Sequence, residues 1–248
     1  MTNKFKYFIG NWKMFGVLGS FNILNQVNLY LKKKKYSKIN VVFCIPYTPI
    51  NFFSKKLIKS NISIGAQDVH HHNSYDACTG SINSYMIKDS GAKYCIVGHS
   101  EKRMSGDTDL IINQKIKSCI KNKLKVIFCI GENFKQKKNK TTFKILNNQI
   151  KVGLKDISRN NDILVAYEPV WSIGTGITPK NEDLIKNILF IKKKLFKKFK
   201  KVTILYGGSV NSHNIQNFSR INDIDGFLVG GASQSYKKFI DIIKKSYK

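Results

Sequence analysis

Eight short apolar runs alternate with longer stretches of helical spacing along this 248-residue sequence. The runs are continuous and rich in Val, Ile and Phe, as expected of parallel strands that are covered on both faces. They comprise residues 5–9, 39–45, 62–66, 93–97, 124–130, 163–167, 202–206 and 226–229. Eight strand–helix units of about 31 residues match a (β/α)8 barrel, which typically needs about 250 residues. We therefore predict an α/β fold in which residues 1–248 form a single (β/α)8 barrel domain.

Two of the intervening stretches have a clear amphipathic pattern. Residues 184–199 form a predicted helix that begins near Pro179 or Asn181. Residues 110–120 form another, with Leu110, Ile111, Ile116, Cys119 and Ile120 predicted inside and Lys115, Lys117 and Lys121 predicted outside. An open doubly wound sheet is the alternative layout, but no predicted strand leads into the G-x-G-x-x-G motif that is typical of it.

The charge of the sequence is extreme, with 43 Lys+Arg against 15 Asp+Glu and a formal net charge of +28. Such an excess is typical of nucleic-acid or membrane-surface binding. However, only three of these residues (Arg103, Arg159 and Arg220) are Arg, the usual choice for base and phosphate recognition. Lysine is spread along the whole chain, together with Asn and Ile, which also have A/T-rich codons. We therefore attribute the charge mostly to genome composition and expect no nucleic-acid partner.

The cysteines and the longest apolar runs indicate a cellular compartment. The five cysteines form no C-x-x-C pair, and three lie inside apolar runs, which indicates buried thiols in a reducing compartment. No run approaches the roughly 20 apolar residues that span a bilayer. The apolar patch at residues 7–9 is shorter than a signal-peptide core of about 7–15 residues. We expect a soluble, cytoplasmic protein without a membrane partner.

The sequence changes from apolar to polar or glycine-rich residues at the end of most of the apolar runs. In a barrel these strand ends meet on one face, where active sites lie. Lys13 follows the first run, His99 the fourth and Glu168 the sixth, while Gly-Gly turns follow the last two, the usual phosphate position. Alone, His99 could be a structural histidine and Glu168 a salt-bridged carboxylate. Together with a cation and an anchored phosphate, they favour proton abstraction next to a carbonyl.

The sequence resembles the triosephosphate isomerase family at five motifs, which follow the family's order and cover essentially the whole chain. The motifs are Gly10-Asn11-Trp12-Lys13-Met14, Gly98-His99-Ser100-Glu101-Lys102-Arg103, Ala166-Tyr167-Glu168-Pro169-Val170-Trp171-Ser172-Ile173-Gly174-Thr175-Gly176, Tyr206-Gly207-Gly208-Ser209-Val210 and Asp225-Gly226-Phe227-Leu228-Val229-Gly230-Gly231-Ala232-Ser233. The resemblance implies a TIM barrel and a cofactor-free aldose–ketose isomerase. It would interconvert dihydroxyacetone phosphate and D-glyceraldehyde 3-phosphate through an enediolate, in glycolysis and gluconeogenesis.

The same resemblance implies a role for each site residue. Glu168 would move the proton, and His99, kept neutral by a helix N-terminus, would polarise the carbonyl. Lys13 would neutralise the phosphate and the oxyanion, with Asn11 beside the substrate oxygens and Glu101 orienting Lys13. The phosphate would be held by Gly174, Ser209, Gly230 and Gly231. No metal is implied.

Residues 169–176 resemble the lid that closes over the substrate in this family. The chain departs from the family pattern at Pro179, where the usual residue offers an amide N–H to the hydroxyl matching Tyr206, because proline has none. We therefore expect the lid to do without that bond. Phe15 also departs from the pattern, standing where the family usually has Asn near the subunit interface.

The segment between the third and fourth runs carries two further expectations. The resemblance implies a homodimer through the loop 78–85, which Cys78 and Tyr85 bound, and poorly active monomers. His70, His71 and His72 could take up a transition metal, but we interpret them as solvated loop histidines. Two other functions are considered: a basic binding protein, which would not need the proton-transfer residues, and an enzyme for another phosphorylated sugar, which the intact lid disfavours.

Overall fold

The eight predicted strands close into a parallel barrel in the computed structural model, which describes residues 6–34, 36 and 38–247. The strands are β1 (Lys6–Asn11), β2 (Ile39–Ile45), β3 (Ile62–Ala66), β4 (Tyr94–Val97), β5 (Lys125–Ile130), β6 (Ile163–Tyr167), β7 (Thr203–Tyr206) and β8 (Gly226–Val229). Each strand pairs with the next in parallel, and β8 pairs with β1. The predicted barrel is confirmed. Phe5, the predicted start of the first strand, lies outside the described residues.

Helices surround the barrel over the described part of the chain. They are α1 (Phe21–Lys34), α2 (Ile50–Lys56), α3 (Ser84–Asp89), α4 (Ser100–Met104), α5 (Asp109–Lys121), α6 (Phe134–Lys138), α7 (Thr142–Gly153), α8 (Asn181–Phe196), α9 (Ile215–Ser219) and α10 (Tyr236–Lys245). The two predicted helices correspond to α5 and α8. Glu182 and Asp183 lie in the first turn of α8, where they complement the helix dipole.

Alternation along the strands divides the core into two shells. Side chains that point inward fill the barrel, among them Ile9, Val42, Ile127 and Leu164. Their neighbours point outward and pack beneath the helices, as Phe8 does. Because a parallel strand is covered on both faces, it reads as a continuous apolar run. This double cover is the reason that the strands could be located so closely from the sequence.

Helix α5 differs from the predicted amphipathic pattern. Leu110, predicted inside, is 67% exposed, whereas Lys115, predicted outside, is only 5% exposed. The Lys115 ammonium lies 2.8 Å from Asp68 and 2.7 Å from Asp107. Burial by itself lowers the pKa of Lys115, but the two carboxylates more than compensate and hold that pKa above its ordinary value. The placement of Lys115 on the outer face was wrong because its two partners come from other loops.

Replacing Lys115 with Met is expected to lower the free energy of unfolding by about 3–5 kcal/mol, because it removes the cation beside the largely buried Asp107 carboxylate and leaves Asp68 paired with Lys102 alone. Lys117→Met, on the exposed face of the same helix, is the matched control and is expected to cost less than about 0.5 kcal/mol. Urea unfolding of both variants measures the difference. Equal stability of the two variants would contradict the ion-pair account.

The cysteine prediction is confirmed for Cys44, Cys95, Cys119 and Cys129, which are buried free thiols. Cys78 is also free but only partly buried. Among the described residues, no helix combines the length and apolarity that crossing a membrane requires.

Candidate active site

A cavity of about 250 Å³ opens at the carboxyl ends of the strands. The sequence-predicted residues converge on it from β1, β4, β6, β7 and β8, although they are far apart in the chain. The predicted residues that line the cavity are Asn11, Lys13, His99, Glu168, Gly174, Ser209, Gly230 and Gly231. Glu101 is the predicted site residue that does not line this cavity; it contacts Lys13 from a neighbouring cavity.

Glu168 follows β6 and is 2% exposed. Its backbone is anchored by a 2.8 Å hydrogen bond from its amide to the Ile130 carbonyl and by Pro169 next to it. A Cβ atom on Gly207 would lie 2.8 Å from Glu168 Cγ, so this glycine allows the side chain to reach the cavity. Burial raises the pKa of Glu168, while His99, Cys129, the Ser100 amide and Lys13 act in the opposite direction. The result is a poorly solvated carboxylate with increased basicity.

His99 is the N-cap residue of α4, and its side chain is 7% exposed. Its Nδ1 accepts a 3.2 Å hydrogen bond from the Glu101 amide at the helix N-terminus. A ring nitrogen that accepts a hydrogen bond carries no proton, so the proton of the neutral ring is assigned to Nε2. Nε2 lies 3.5 Å from Glu168 Oε1. The helix end thus presents an N–H donor beside the carboxylate.

Lys13 brings a cation to the opposite side of the cavity. Its backbone has a φ of +57°, a left-handed conformation that costs a non-glycine residue energy and is often found at functional sites. The Asn11 side chain stabilises this turn, since its Oδ1 accepts a 3.1 Å hydrogen bond from the Lys13 amide. The Lys13 Nζ lies 2.5 Å from Glu101 Oε1, which fixes the direction of the long side chain.

Gln67 follows β3 and positions Asn11, a role that the sequence did not reveal. Its amide nitrogen donates to Asn11 Oδ1 at 3.3 Å and to the Cys44 carbonyl at 3.1 Å. With Oδ1 held in this way, the Asn11 amide NH₂ group is the part of the side chain left to face a substrate. The position of Gln67 at a predicted strand end was the signal available beforehand.

The other end of the cavity is made of backbone. Gly174, Ser209, Gly230 and Gly231 line it, with Leu228 and Ile173 near Glu168. A short 3₁₀ helix, Gly231–Gln234, starts directly at this point and directs its N-terminal amides there. An oxyanion of phosphate size is the ligand that such a set of amides prefers.

The segment 169–176 contributes Ile173 and Gly174 to the cavity lining and is fixed at its start. Trp171 Nε1 donates a 2.9 Å hydrogen bond to Glu132, a nearly fully buried carboxylate that also accepts from Tyr167. Burial raises the pKa of Glu132, and the hydrogen bonds from Trp171 and Tyr167 counteract that rise. Glu132 is a second residue whose importance the sequence did not indicate beyond its place after β5. It anchors the tryptophan at the base of this segment.

Tyr206, whose family partner is missing at Pro179, contacts Ser172. The two hydroxyl oxygens lie 3.4 Å apart, and Ser172 donates instead to the Ile177 carbonyl at 2.6 Å. Burial raises the pKa of Tyr206 to about 12, so its hydroxyl stays protonated. The contact with Ser172 is too long to contribute much stabilisation.

Replacing Tyr206 with Phe is therefore expected to leave kcat within about threefold of the wild type, since a typical hydrogen bond contributes about 0.5–1.5 kcal/mol and this 3.4 Å contact lies at the weak end of that range. Steady-state turnover measures this. A drop of tenfold or more would contradict the expectation that lid closure does without the Tyr206 hydroxyl.

Comparisons with known proteins agree over the full length of the chain. A family model described as triosephosphate isomerase matches residues 6–246. The triosephosphate isomerase of Thermodesulfovibrio yellowstonii is 39% identical over 245 residues, which cover 96% of this chain and 98% of the relative. That of Alkaliphilus oremlandii is 37% identical over 242 residues, covering 94% and 96%. A crystal structure of triosephosphate isomerase from Bartonella henselae superposes with a TM-score of 0.89 at 29% identity, covering 98% of this chain and 99% of that one.

Proposed function

The chain belongs to the triosephosphate isomerase family, and we propose that its reaction centre is the cavity lined by Glu168, His99 and Lys13. The protein is a glycolytic aldose–ketose isomerase that interconverts dihydroxyacetone phosphate and D-glyceraldehyde 3-phosphate. The observation that carries the assignment of the site is the 3.5 Å approach of His99 Nε2 to Glu168 Oε1, beside the Lys13 ammonium. Residues 1–248 form one domain in this proposal.

Glu168 acts as the general base. Its carboxylate takes a proton from C1 of dihydroxyacetone phosphate, and the C–H electron pair becomes the C1–C2 double bond while the carbonyl pair moves onto O2. The same group, now protonated, returns the proton to C2 as a proton passes from O1 to O2. A buried carboxylate suits this step because its raised pKa makes it a stronger base once it is ionised.

His99 and Lys13 stabilise the negative charge that develops on the oxygen atoms. The Nε2–H of His99 donates to the carbonyl oxygen, and the Lys13 ammonium adds a full positive charge. Both are held before substrate arrives, His99 by the Glu101 amide and Lys13 by the Glu101 carboxylate. Preorganised donors of this kind stabilise an oxyanion without reorganising during the reaction. Asn11 contributes its amide NH₂ group beside the same oxygens.

The phosphate is held by backbone amides at Gly174, Ser209, Gly230 and Gly231. Binding of the phosphate positions the reacting carbons between Glu168 and His99. This orientation lowers the entropic part of the reaction barrier. Closure of the segment 169–176 excludes water, and this both strengthens the electrostatic interactions and protects the enediolate from losing its phosphate. We place the reaction in the cytoplasm, with glycolysis.

Exchange with solvent tests the proton-transfer role. When dihydroxyacetone phosphate is converted in D₂O, the aldehyde product is expected to carry deuterium at C2, because the carboxyl group of Glu168 can exchange its proton. Proton NMR measures the label. Turnover and deuterium incorporation that both stay at the wild-type level in Glu168→Gln would overturn the role of Glu168 as the base.

We further propose a homodimer through the loop 78–85. Tyr75, beside this loop, is 78% exposed and Tyr85 is 48% exposed, while Met14 is fully exposed next to the reaction centre. A second cavity of about 310 Å³, lined by Met14, Tyr47 and Lys102, adjoins Lys13 and offers a receptacle for the partner's loop. Sedimentation velocity is expected to give a dimer at micromolar concentration. A monomer with full turnover would contradict the proposal.

A further inference from the structure

A cluster of metal-ligating side chains lies in the connection between β3 and α3. His70, His72 and Cys78 each offer one donor atom, and these three atoms lie within 4.8 Å of one another. Ligands of one zinc ion lie at about 2.0–2.1 Å for His nitrogen and about 2.3 Å for Cys sulfur. A contraction of about 1 Å through side-chain rotation would bring the three atoms to that geometry.

The cluster carries negative charge that favours a dication. Asp76 Oδ2 lies 2.5 Å from His72 Nδ1, the atom that lies 3.9 Å from Cys78 Sγ. Because both contacts are made by Nδ1, this nitrogen would give up its hydrogen bond with Asp76 on binding an ion, and the carboxylate would then be placed to complete a fourth position. Its charge offsets part of the general positive charge of the chain at this point.

Hydrogen bonds fix the backbone of the connection in the described structure. The His70 amide donates to the Ile82 carbonyl at 2.8 Å, and Ser118 Oγ donates to the His72 carbonyl at 3.3 Å. Asn83 Nδ2 donates to the Ser74 carbonyl at 2.9 Å. The three donor side chains thus extend from a backbone that is already ordered. Binding an ion would therefore cost little conformational entropy of the chain.

Cys78 differs from the other four cysteines, all of which lie in described segments. Those four are buried within the core, whereas Cys78 is partly exposed beside the two histidines. One thiolate and two imidazoles form a donor set that selects zinc-like transition metals over Ca²⁺ or Mg²⁺.

We propose that His70, His72 and Cys78 bind one transition-metal dication of the Zn²⁺ class, outside the reaction centre. None of the three lines the cavity that holds Glu168. The ion therefore takes no part in proton transfer. The ion links His70 and His72, which lie early in the connection between β3 and α3, to Cys78, the first residue of the loop 78–85. This interpretation replaces the expectation of solvated loop histidines.

Co²⁺ is the probe that tests the site, because a thiolate ligand gives a near-ultraviolet charge-transfer band and a tetrahedral site gives intense visible bands. One equivalent per chain is expected to produce both, and Zn²⁺ is expected to displace it. Cys78→Ser is expected to remove the charge-transfer band, and His72→Asn to weaken Co²⁺ binding at least tenfold.

Two variants serve as controls. His71→Asn changes the histidine of the triplet that is outside the donor trio, and His213→Asn changes an exposed histidine in another loop. Both are expected to bind Co²⁺ within about threefold of the wild type. Binding without a thiolate band, a band that survives in Cys78→Ser, or equal loss in His71→Asn and His72→Asn would overturn the proposal.

A measurement on the unmodified protein covers the case in which a variant does not fold. X-ray absorption at the zinc edge of the loaded wild type is expected to show one sulfur and two imidazole nitrogens. A shell of oxygen and nitrogen alone would contradict the site.

The effect of the ion on assembly rests on the proposed dimer, while binding itself does not. Because the ion would hold the loop 78–85 at one end, Zn²⁺ is expected to strengthen the dimer relative to chelator-treated protein, as seen by sedimentation. A chain that remains monomeric with bound Co²⁺ and an intact thiolate band would refute the dimer and support the metal site.

Discussion

Replacing Glu168 with Gln is expected to lower kcat for triose phosphate isomerisation by roughly 10²- to 10⁴-fold, the usual contribution of a positioned general base. The amide keeps the shape of the side chain but cannot accept the substrate proton. KM is expected to change much less, because in the proposed site the phosphate is held elsewhere, by the amides around Gly230. Coupled steady-state assays measure both constants.

Glu168→Asp retracts the carboxylate by one methylene and is expected to lose most of kcat as well, since the proton transfer depends on distance. A Glu168→Asp variant with nearly full kcat would show that the carboxylate does not touch the reacting carbon. The pH profile of the wild type adds a check. Because burial raises the pKa of Glu168, kcat/KM should fall with decreasing pH at a pKa above the ordinary value of about 4.3 for Glu.

Burial of Glu168 also affects the stability of the fold, and replacing this residue should stabilise the protein even though it removes activity. A carboxyl group whose pKa is higher in the folded than in the unfolded state binds more protons when folded, so stability falls as pH rises through that interval. At neutral pH the ionised Glu168 therefore destabilises the fold. Glu168→Gln is expected to have a Tm at least as high as the wild type at pH 7, which also shows that its lost activity is not misfolding.

Replacing Lys13 with Met is expected to lower kcat/KM by roughly 10²- to 10³-fold, the scale on which single oxyanion-stabilising groups act in enzymes. The change removes the ammonium from the cavity and leaves Glu101 without its 2.5 Å partner. Because that charge acts on both the phosphate and the developing oxyanion, kcat and KM should both deteriorate.

Lys193→Met is the matched control for Lys13→Met. Lys193 lies on the exposed face of α8, so its substitution removes the same charge far from the cavity. Its kcat/KM is expected to stay within about twofold of the wild type at 150 mM salt, where distant charges are screened. Equal losses in the two variants would mean that the net charge of +28, rather than Lys13, attracts the substrate.

The barrel could be predicted closely because the information was local. Strands β2 and β6 begin and end at the predicted residues, since β6 is buried throughout and β2 is apolar at every position except Asn40 and buried from Val41 onward. The site followed from the same pattern. Glu168 stands immediately after β6 and His99 two residues after the end of β4, and the geometry of a barrel brings such ends together.

What the sequence could not provide depends on partners that are distant in the chain. Lys115 looked like an outer-face residue because a helical pattern carries no trace of Asp68 across the loop. The support that Gln67 gives to Asn11, and that Glu132 gives to Trp171, likewise appears only when strand ends meet. Gln67 and Glu132 support neighbouring residues and do not line the cavity that holds Glu168, so they carry no motif of their own.

We propose that this chain isomerises triose phosphates with its own side chains, without a metal ion. The most direct measurement is coupled turnover of D-glyceraldehyde 3-phosphate by the purified chain, with and without EDTA. At a chain concentration at which the metal-free dimer is intact, we predict rapid turnover that the chelator leaves unchanged and that falls at least 100-fold in Glu168→Gln. No turnover by the folded wild-type chain, or turnover that Glu168→Gln retains in full, would contradict the account.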